Sequence, residues 1–318
     1  MTAPPFDVVG IGLNATDTLL MVPCLPKYGG KASYTREILS PGGQVASALV
    51  ACQKLGLRTT YIGTVGDDER ARVQLESLRE SGVDLQYLQV RPGCANQSAY
   101  ILVDGQSGER TVFWRRDDCL RIDPEQIAAE QITCARLLHV DGHDTAAVGH
   151  GARLARQAGI PVTVDVDTIY PGFDRVLPYV DYLIASSEFP GRWTGEPDPF
   201  RALELIQDEY GMKVAAMTLG DHGALARAGG SYHYSPAFAV ECVDTTGAGD
   251  IFHGAFCYGV LQGFPLERTL EFSNAMAALN CTAMGARGGI CTAAEAEELI
   301  ARGGRRADTS FASRCVSV

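Results

Sequence analysis

The stretch Asp244-Thr245-Thr246-Gly247-Ala248-Gly249-Asp250, followed by IFHGAFCYGVLQG, decides how this chain is read. The VECVD before it reads as a strand, and the residues after it have helical spacing. A strand, a glycine turn and a helix start leave several backbone N–H groups unpaired and pointing outward. Small residues there let phosphate oxygens approach those N–H groups closely. Asp250 falls at the same helix end, where the dipole favours an ionised carboxylate by roughly 0.3–1 kcal/mol. A carboxylate beside an anion hole fits phosphoryl transfer to an alcohol. The N–H groups of Gly247, Ala248 and Gly249 would neutralise the transferred group while Asp250 takes the hydroxyl proton. The plain alternative is a helix capped by Asp or Thr after a tight turn. A bare T-G-A-G string would favour that; all seven residues in a strand–helix context favour the catalytic reading.

Working outward, the chain from about Ala135 alternates strand and helix. LLHVDG, PVTVDVD, VDYLIAS and KVAAMTLG read as strands, AAVGHGARLARQAG and PFRALELIQDEYG as helices. Such alternation predicts an α/β fold, a mainly parallel sheet with helices on both faces. Ligands of such sheets sit outside the carboxyl ends of the strands. Nearer the N-terminus, VVGIGL is a buried strand, residues 42–55 a helix ending at Gly56, 59–63 a strand and 68–81 a charged helix. Residues 32–39 and 98–115 break this rhythm by alternating apolar and polar side chains, the second with a Gly-containing turn. They read as antiparallel strands inserted into one α/β domain spanning 1–302. Further helices are predicted at 248–261, 266–284 and 293–301. The tail 303–318 has no apolar period and is expected to be disordered.

Composition limits the function classes. Of 318 residues, 46% are hydrophobic and 20% charged, the balance of a soluble globular protein. No apolar run reaches the roughly 18 residues that span a bilayer. The start MTAPPFDVVGIG lacks a basic n-region, so a cytoplasmic protein without signal peptide is expected. Ten cysteines, none in a C-x-x-C pair, read as core residues or free thiols rather than a disulfide frame. A net charge of −11 argues against a nucleic-acid partner. Gly10-Ile11-Gly12-Leu13-Asn14-Ala15 fits a dinucleotide fingerprint, but TDTLLMVPCLP follows where a helix is needed. His139, Asp141, His143, Asp144 and His150 flank a strand end without the i, i+4 helical spacing of a metal hydrolase. No G-x-x-x-x-G-K-[ST] occurs, which excludes a P-loop kinase. His253, on the catalytic helix, reads as packed or hydrogen-bonded.

D-T-T-G-A-G-D resembles the C-terminal signature of the ribokinase-like (PfkB) carbohydrate kinases, and PGGQVASALVACQKLG with TTYIGTVGDD resembles their N-terminal one. The resemblance extends over nearly the whole chain. It implies transfer of the γ-phosphoryl group of ATP, with Mg2+, to a primary hydroxyl of a small sugar. It also implies that Asp17 and Asn14, in GLNATDTLLMVPCLP, and Gly42 and Gly43 contact the sugar, with Asp141 facing it from a strand end. His143 is a further candidate sugar contact. Thr218 and Gly220, in TLGDHGALA, would lie near the phosphates and Asn274 near the adenine. Asp244 and Thr246, with carbonyls of MGARGGI, would hold a monovalent cation such as K+. The fold the resemblance implies is a doubly wound α/β domain with a small β lid, in segments of about 15–40 and 96–118, that would form a homodimer contact.

Two positions depart from the family pattern. Ser47 stands where Asn is usual, which shortens a sugar contact. The N-x-x-E motif linked to magnesium is not intact in ASSEFPGRWTG, where Glu188 is the natural substitute; metal binding through water tolerates the shift. The termini look nearest to ketohexokinase, fructokinase and sulfofructose-kinase relatives, which points to a ketohexose. Nucleoside and 2-keto-3-deoxygluconate kinases, and a sugar sensor without turnover, are the alternatives. Lys27, Lys31, Arg36, Arg115 and Arg116 in the lid segments read as a solvated face, or else as recognition of an anionic group on the acceptor.

Overall fold

The computed structural model describes residues 4–106, 110–306 and 308–315. The chain opens with β1 (Val8–Ile11) and turns out into β2 (Ala15–Val22) and β3 (Arg36–Gly42). Helix α1 (Gln44–Lys54), β4 (Thr59–Val65), α2 (Glu69–Glu80) and β5 (Leu88–Val90) follow. It leaves the body again as β6 (Ser98–Asp104) and β7 (Arg110–Arg115). A regular alternation then begins with α3 (Ala129–Thr133), β8 (Leu137–Val140), α4 (Thr145–Gln157) and β9 (Val162–Val166). It continues through β10 (Tyr182–Ser186), α5 (Phe189–Thr194), α6 (Pro199–Tyr210) and β11 (Val214–Thr218). The hairpin β12 (Ala224–Ala228) and β13 (Ser231–Ser235) precedes four helices: α7 (Ala248–Gln262), α8 (Leu266–Asn280), α9 (Ala293–Arg302) and α10 (Thr309–Cys315).

Nine strands form the main sheet in the order β13-β12-β11-β10-β9-β8-β1-β4-β5. Pairing is parallel from β5 to β11 and antiparallel at β12 and β13. The central strands are short apolar runs because both faces are covered: every residue of β8 and β9 is buried. Alternate side chains go to opposite layers. Leu183 and Ala185 of β10 pack with Phe200, Leu203 and Ile206 of α6, whereas Ile184 packs with Phe252 and Phe256 of α7. Helix α6 shows how locally the boundaries are set. Asp198 accepts from the N–H groups of Phe200 and Arg201, Pro199 opens the first turn, and Gly211 ends the helix at φ 66°. From β1 the chain passes to β4 on one side and later to β8 on the other, so a crevice opens at the carboxyl ends of β1 and β8.

The lid is a second sheet in the order β3-β2-β6-β7. Its outer pairs are antiparallel as expected, but β2 and β6 run parallel, and the predicted strand at 32–39 begins only at Arg36. The turn expected between β6 and β7 lies partly outside the described residues. Leu19, Ala99, Ile101 and Val103 form a small cluster on the buried face of this sheet.

Three expectations are corrected. VECVD is not a sheet strand: the N–H groups of Val243 and Asp244 both donate to the Cys281 carbonyl, in the turn after α8. Cys94 and Cys119 form a disulfide. Their sequence spacing gives no hint of it, but the β6–β7 hairpin returns the chain to its start and brings the two loops together. The tail, of which residues 307 and 316–318 lie outside the described set, contains α10. Phe311 stacks on Phe200 and Tyr234 at 6.0 and 5.7 Å, and Arg314 lies 3.7 Å over the Phe200 ring while pairing with Asp198. Two side chains one helical turn apart hold this segment, too few to create an apolar period.

Candidate active site

The DTTGAGD stretch forms the floor of a cavity of about 810 Å3, which Gly247, Ala248, Gly249 and Asp250 all line. Gly247 precedes α7 at φ 75°, and a Cβ there would lie 2.3 Å from the Ala286 carbonyl oxygen, so only glycine fits. The helix start offers the Gly247 and Gly249 N–H groups to a ligand, but the Ala248 N–H, expected to do the same, donates to the Thr245 carbonyl at 3.3 Å. Burial pushes the Asp250 carboxyl up to about 8, with Asp165 at the end of β9 adding to the rise and Arg110 opposing it. A base that titrates near neutrality is well matched to proton transfer.

Thr246 lines the cavity too, and Asp244 lies behind it. Asp244 Oδ1 accepts from the Thr246 N–H and hydroxyl at 2.9 and 2.7 Å, and Oδ2 accepts from the Gly285 N–H at 2.8 Å. Asn280 Nδ2 donates to the carbonyls of Thr246 and Ala286 at 3.3 and 3.2 Å.

At one end of the cavity Asp17 projects from β2, with burial pushing its carboxyl up to about 6 against the pull of Arg287 and Arg70. Gly43 lines the same end at φ 94°, where a Cβ would meet Asn14 Cα at 2.4 Å. His143 lines it too, held by the Tyr170 hydroxyl at 3.1 Å with Trp114 edge-on at 6.2 Å. The other expected sugar contacts sit behind this wall. Asn14 donates to the Tyr61 hydroxyl and the Thr64 carbonyl at 3.0 and 2.7 Å. Asp141 accepts from the Leu13 and His143 N–H groups at 2.6 and 3.0 Å, so it orients residues that face the cavity. Ser47 Oγ accepts from Arg287 Nε at 3.1 Å, and the Gly42 carbonyl from Arg287 and Gln74 at 3.0 and 3.3 Å.

At the other end Thr218, Gly220 and Asn274 line the cavity, beside Phe238, Ala277 and Ala278. Asn274 is aimed by donating to the Ser235 carbonyl and hydroxyl at 2.9 and 3.0 Å. Glu188 is exposed at the start of α5 and does not line the cavity; Ser186 and Asp167 do.

Residues 26–293 match the pfkB family carbohydrate kinases. The chain belongs to that family. Over 296 residues it is 30% identical to the ATP-dependent ribose-1-phosphate kinase of Halopiger xanaduensis, covering 88% of this chain and 93% of the relative. The ribokinase of Bacillus subtilis is 29% identical over 298 residues, 92% of this chain and 99% of that one. The structure of Arabidopsis thaliana ribokinase complexed with ribose and ATP shares the fold, with a TM-score of 0.78, 23% identity and coverage of 94% and 99%.

Sequence reasoning missed two arginines of this pfkB kinase. Arg110, at the start of β7, lines the cavity and donates from the lid to the Thr245 carbonyl and hydroxyl at 3.1 and 2.8 Å. Arg287 braces Ser47, the Ser77 hydroxyl at 2.8 Å and Gly42 from the loop after α8. Neither had a signal, since each is one cation in a surface-like stretch. The lid cations that were singled out do not line the cavity: Arg116 pairs with Asp144 at 2.6 Å, Arg115 with Asp117 at 3.7 Å, and Lys27, Lys31 and Arg36 are exposed. The histidines do not form a metal cluster among the described residues. His139 bonds Thr163 at 3.0 Å, and His253 bonds Asp165 at 3.1 Å, as expected of a packed helix histidine.

Proposed function

We propose that the protein transfers the γ-phosphoryl group of ATP to a primary hydroxyl of a small sugar. The observation that carries this is the single cavity, in which Asp250 and the Gly247 and Gly249 N–H groups lie between Asp17, Gly43 and His143 at one end and Thr218 and Asn274 at the other. Asp17 orients the acceptor, Asp250 takes the hydroxyl proton, and the N–H groups of Gly247 and Gly249 hold the transferred group. Arg110 ties the lid to the catalytic loop and brings a positive charge over the reacting group; lid closure excludes water and limits idle ATP hydrolysis. Magnesium supplies charge neutralisation on the phosphates when bound. The oxygen donors available for it are Asp167 and Ser186, joined by a 3.4 Å hydrogen bond from the Ser186 hydroxyl to the Asp167 carbonyl. A water-mediated contact suits a cation that keeps its hydration shell.

The acceptor belongs among small furanose-forming sugars. Ribose, ribose 1-phosphate and fructose head the panel, because curated relatives are named for ribose, ribose 1-phosphate and fructose phosphorylation. ADP release is measured across that panel, a 2-keto-3-deoxy sugar acid and nucleosides, with Asp250→Asn alongside. Sugar-dependent turnover that collapses in the variant is expected. ATP binding without turnover on any acceptor would turn the reading toward a sensor.

The lid also supports a homodimer. Leu39, Thr18, Tyr100 and Phe113 fall in one register row across all four lid strands, and Leu39, Tyr100 and Phe113 are exposed. Sedimentation of the native chain should give a dimer that Phe113→Glu dissociates.

A further inference from the structure

A monovalent cation behind the anion hole needs several oxygen lone pairs free to converge on it. Here both Asp244 carboxylate oxygens and two of the candidate carbonyls already have partners. Both Asp244 carboxylate oxygens accept internal hydrogen bonds, from Thr246 and from Gly285. The Thr246 and Ala286 carbonyls both face the amide nitrogen of Asn280, which is fully buried at the last position of α8. The amide cannot be turned over, because its Oδ1 accepts from the Gly289 N–H at 3.2 Å. An amide NH2 and a small cation compete for the same carbonyl lone pairs, and in this chain the amide holds two of them. The expected set, Asp244 and Thr246 with carbonyls of residues 284–290, therefore does not fit a cation.

The consequence reaches the reacting group through one peptide plane. The carbonyl of Thr246 and the N–H of Gly247 belong to the same planar unit and point in opposite directions. A donor that fixes the first aims the second at the cavity. Ala286, the other carbonyl held by Asn280, is the residue packed against Gly247, where a Cβ would meet its oxygen at 2.3 Å. One buried side chain thus clamps both backbones that shape the anion hole.

We propose that Asn280 is the positioning residue of the anion hole, its amide bridging the Thr246 and Ala286 carbonyls in place of a monovalent cation, so that turnover does not require potassium. This rests on the assignment of the Gly247 and Gly249 N–H groups to the transferred phosphoryl group. The test compares initial rates and melting temperature in potassium, sodium and choline chloride at equal ionic strength. The native enzyme should keep kcat within about twofold across the three salts, with no potassium-specific rise in Tm. Asn280→Ala should lose roughly 10- to 100-fold in kcat in choline chloride, with KM for ATP and acceptor changed far less. Asn280→Asp places a carboxylate against two carbonyls and should become an enzyme whose kcat and Tm both rise with potassium. If Asn280→Ala does not fold, the native salt series and Asn280→Asp decide. Potassium stimulation of the native enzyme by more than about fivefold, full kcat in Asn280→Ala without potassium, or indifference of Asn280→Asp to potassium would each overturn the inference. Failure of the underlying site reading shows separately, as full turnover in Asp250→Asn.

Discussion

The two halves of the cavity are built in different ways. The proposed phosphoryl end comes from one contiguous stretch: a glycine turn, the helix-start N–H groups and a carboxylate within seven residues at the start of α7. The acceptor end is assembled from β2, the Gly42–Gly43 turn, the loops after β8 and β9, and β7 of the lid. A contiguous motif carries most of its geometry with it, because helix formation fixes the first-turn N–H groups relative to Asp250 and leaves only the Thr246–Gly247 peptide to be held by Asn280. An assembled wall carries no such guarantee. Its shape depends on braces such as Arg287 and Asp141, which never touch the cavity themselves. Reaction class is therefore written in one place and substrate choice in many.

The largest effect should come from the contiguous end. Asp250→Asn removes the base without changing shape, and kcat is expected to fall by roughly 10²–10⁴-fold with Tm nearly unchanged. Gly247→Ala should follow closely. Its Cβ would overlap the Ala286 carbonyl oxygen and its φ of 75° is unfavourable for alanine, so the anion hole must distort. A loss of about 10²–10³-fold in kcat is expected, together with a measurable fall in Tm. Retention of wild-type kcat in either variant would break the assignment of the phosphoryl end.

The assembled end should respond in KM rather than kcat. Arg287→Met removes three hydrogen bonds that tie Ser47, Ser77 and Gly42 together, and is expected to raise acceptor KM roughly tenfold with ATP KM unchanged. It also removes a cation. Asp17 is pushed to about 6 and Asp250 to about 8, so kcat/KM should fall as pH drops below about 8 and more steeply below about 6. Arg287, Arg70 and Arg110 pull Asp17 down while Asp244 raises it; Asp165 and Asp17 raise Asp250 while Arg110 and Arg287 pull it down. Loss of the Arg287 charge favours the protonated carboxyls, so the acid limb should move to higher pH. Arg287→Lys should restore the limb but not the acceptor KM. A limb that does not move in Arg287→Met would leave the residue a purely mechanical brace.

This contrast also explains what could be read from residues alone. The parallel sheet was readable because its strands are apolar runs separated by amphipathic helices, and the lid because its strands alternate. Asp250 and its glycines were readable as a local pattern. Asp17 and His143 do line the cavity, but Asn14, Ser47 and Asp141 act from behind it, and a sequence does not distinguish a residue that touches a ligand from one that holds its neighbour. Arg110 and Arg287 reach their places through contacts more than a hundred residues apart, which no local pattern encodes. The Cys94–Cys119 disulfide is hidden in the same way, since it depends on a hairpin closing between its members.

The smallest expected effect concerns the tail. Phe311 is half-buried against Phe200 and Tyr234, and Arg314 pairs with Asp198, which also caps α6. Arg306, just before α10, lines the cavity at its proposed nucleotide end and pairs with Asp221 at 2.8 Å. The tail thus fastens the rim of the ATP site rather than its floor. Phe311→Ala removes two half-exposed aromatic contacts, about 1–2 kcal/mol, which in a domain of this size lowers Tm by a few degrees, roughly 2–6 °C. If α10 serves only as a fastener, ATP KM should rise by no more than about threefold and acceptor KM should not change. An equal rise in both would mean that the tail acts on the whole cavity, and the separation between its two ends would have to be given up.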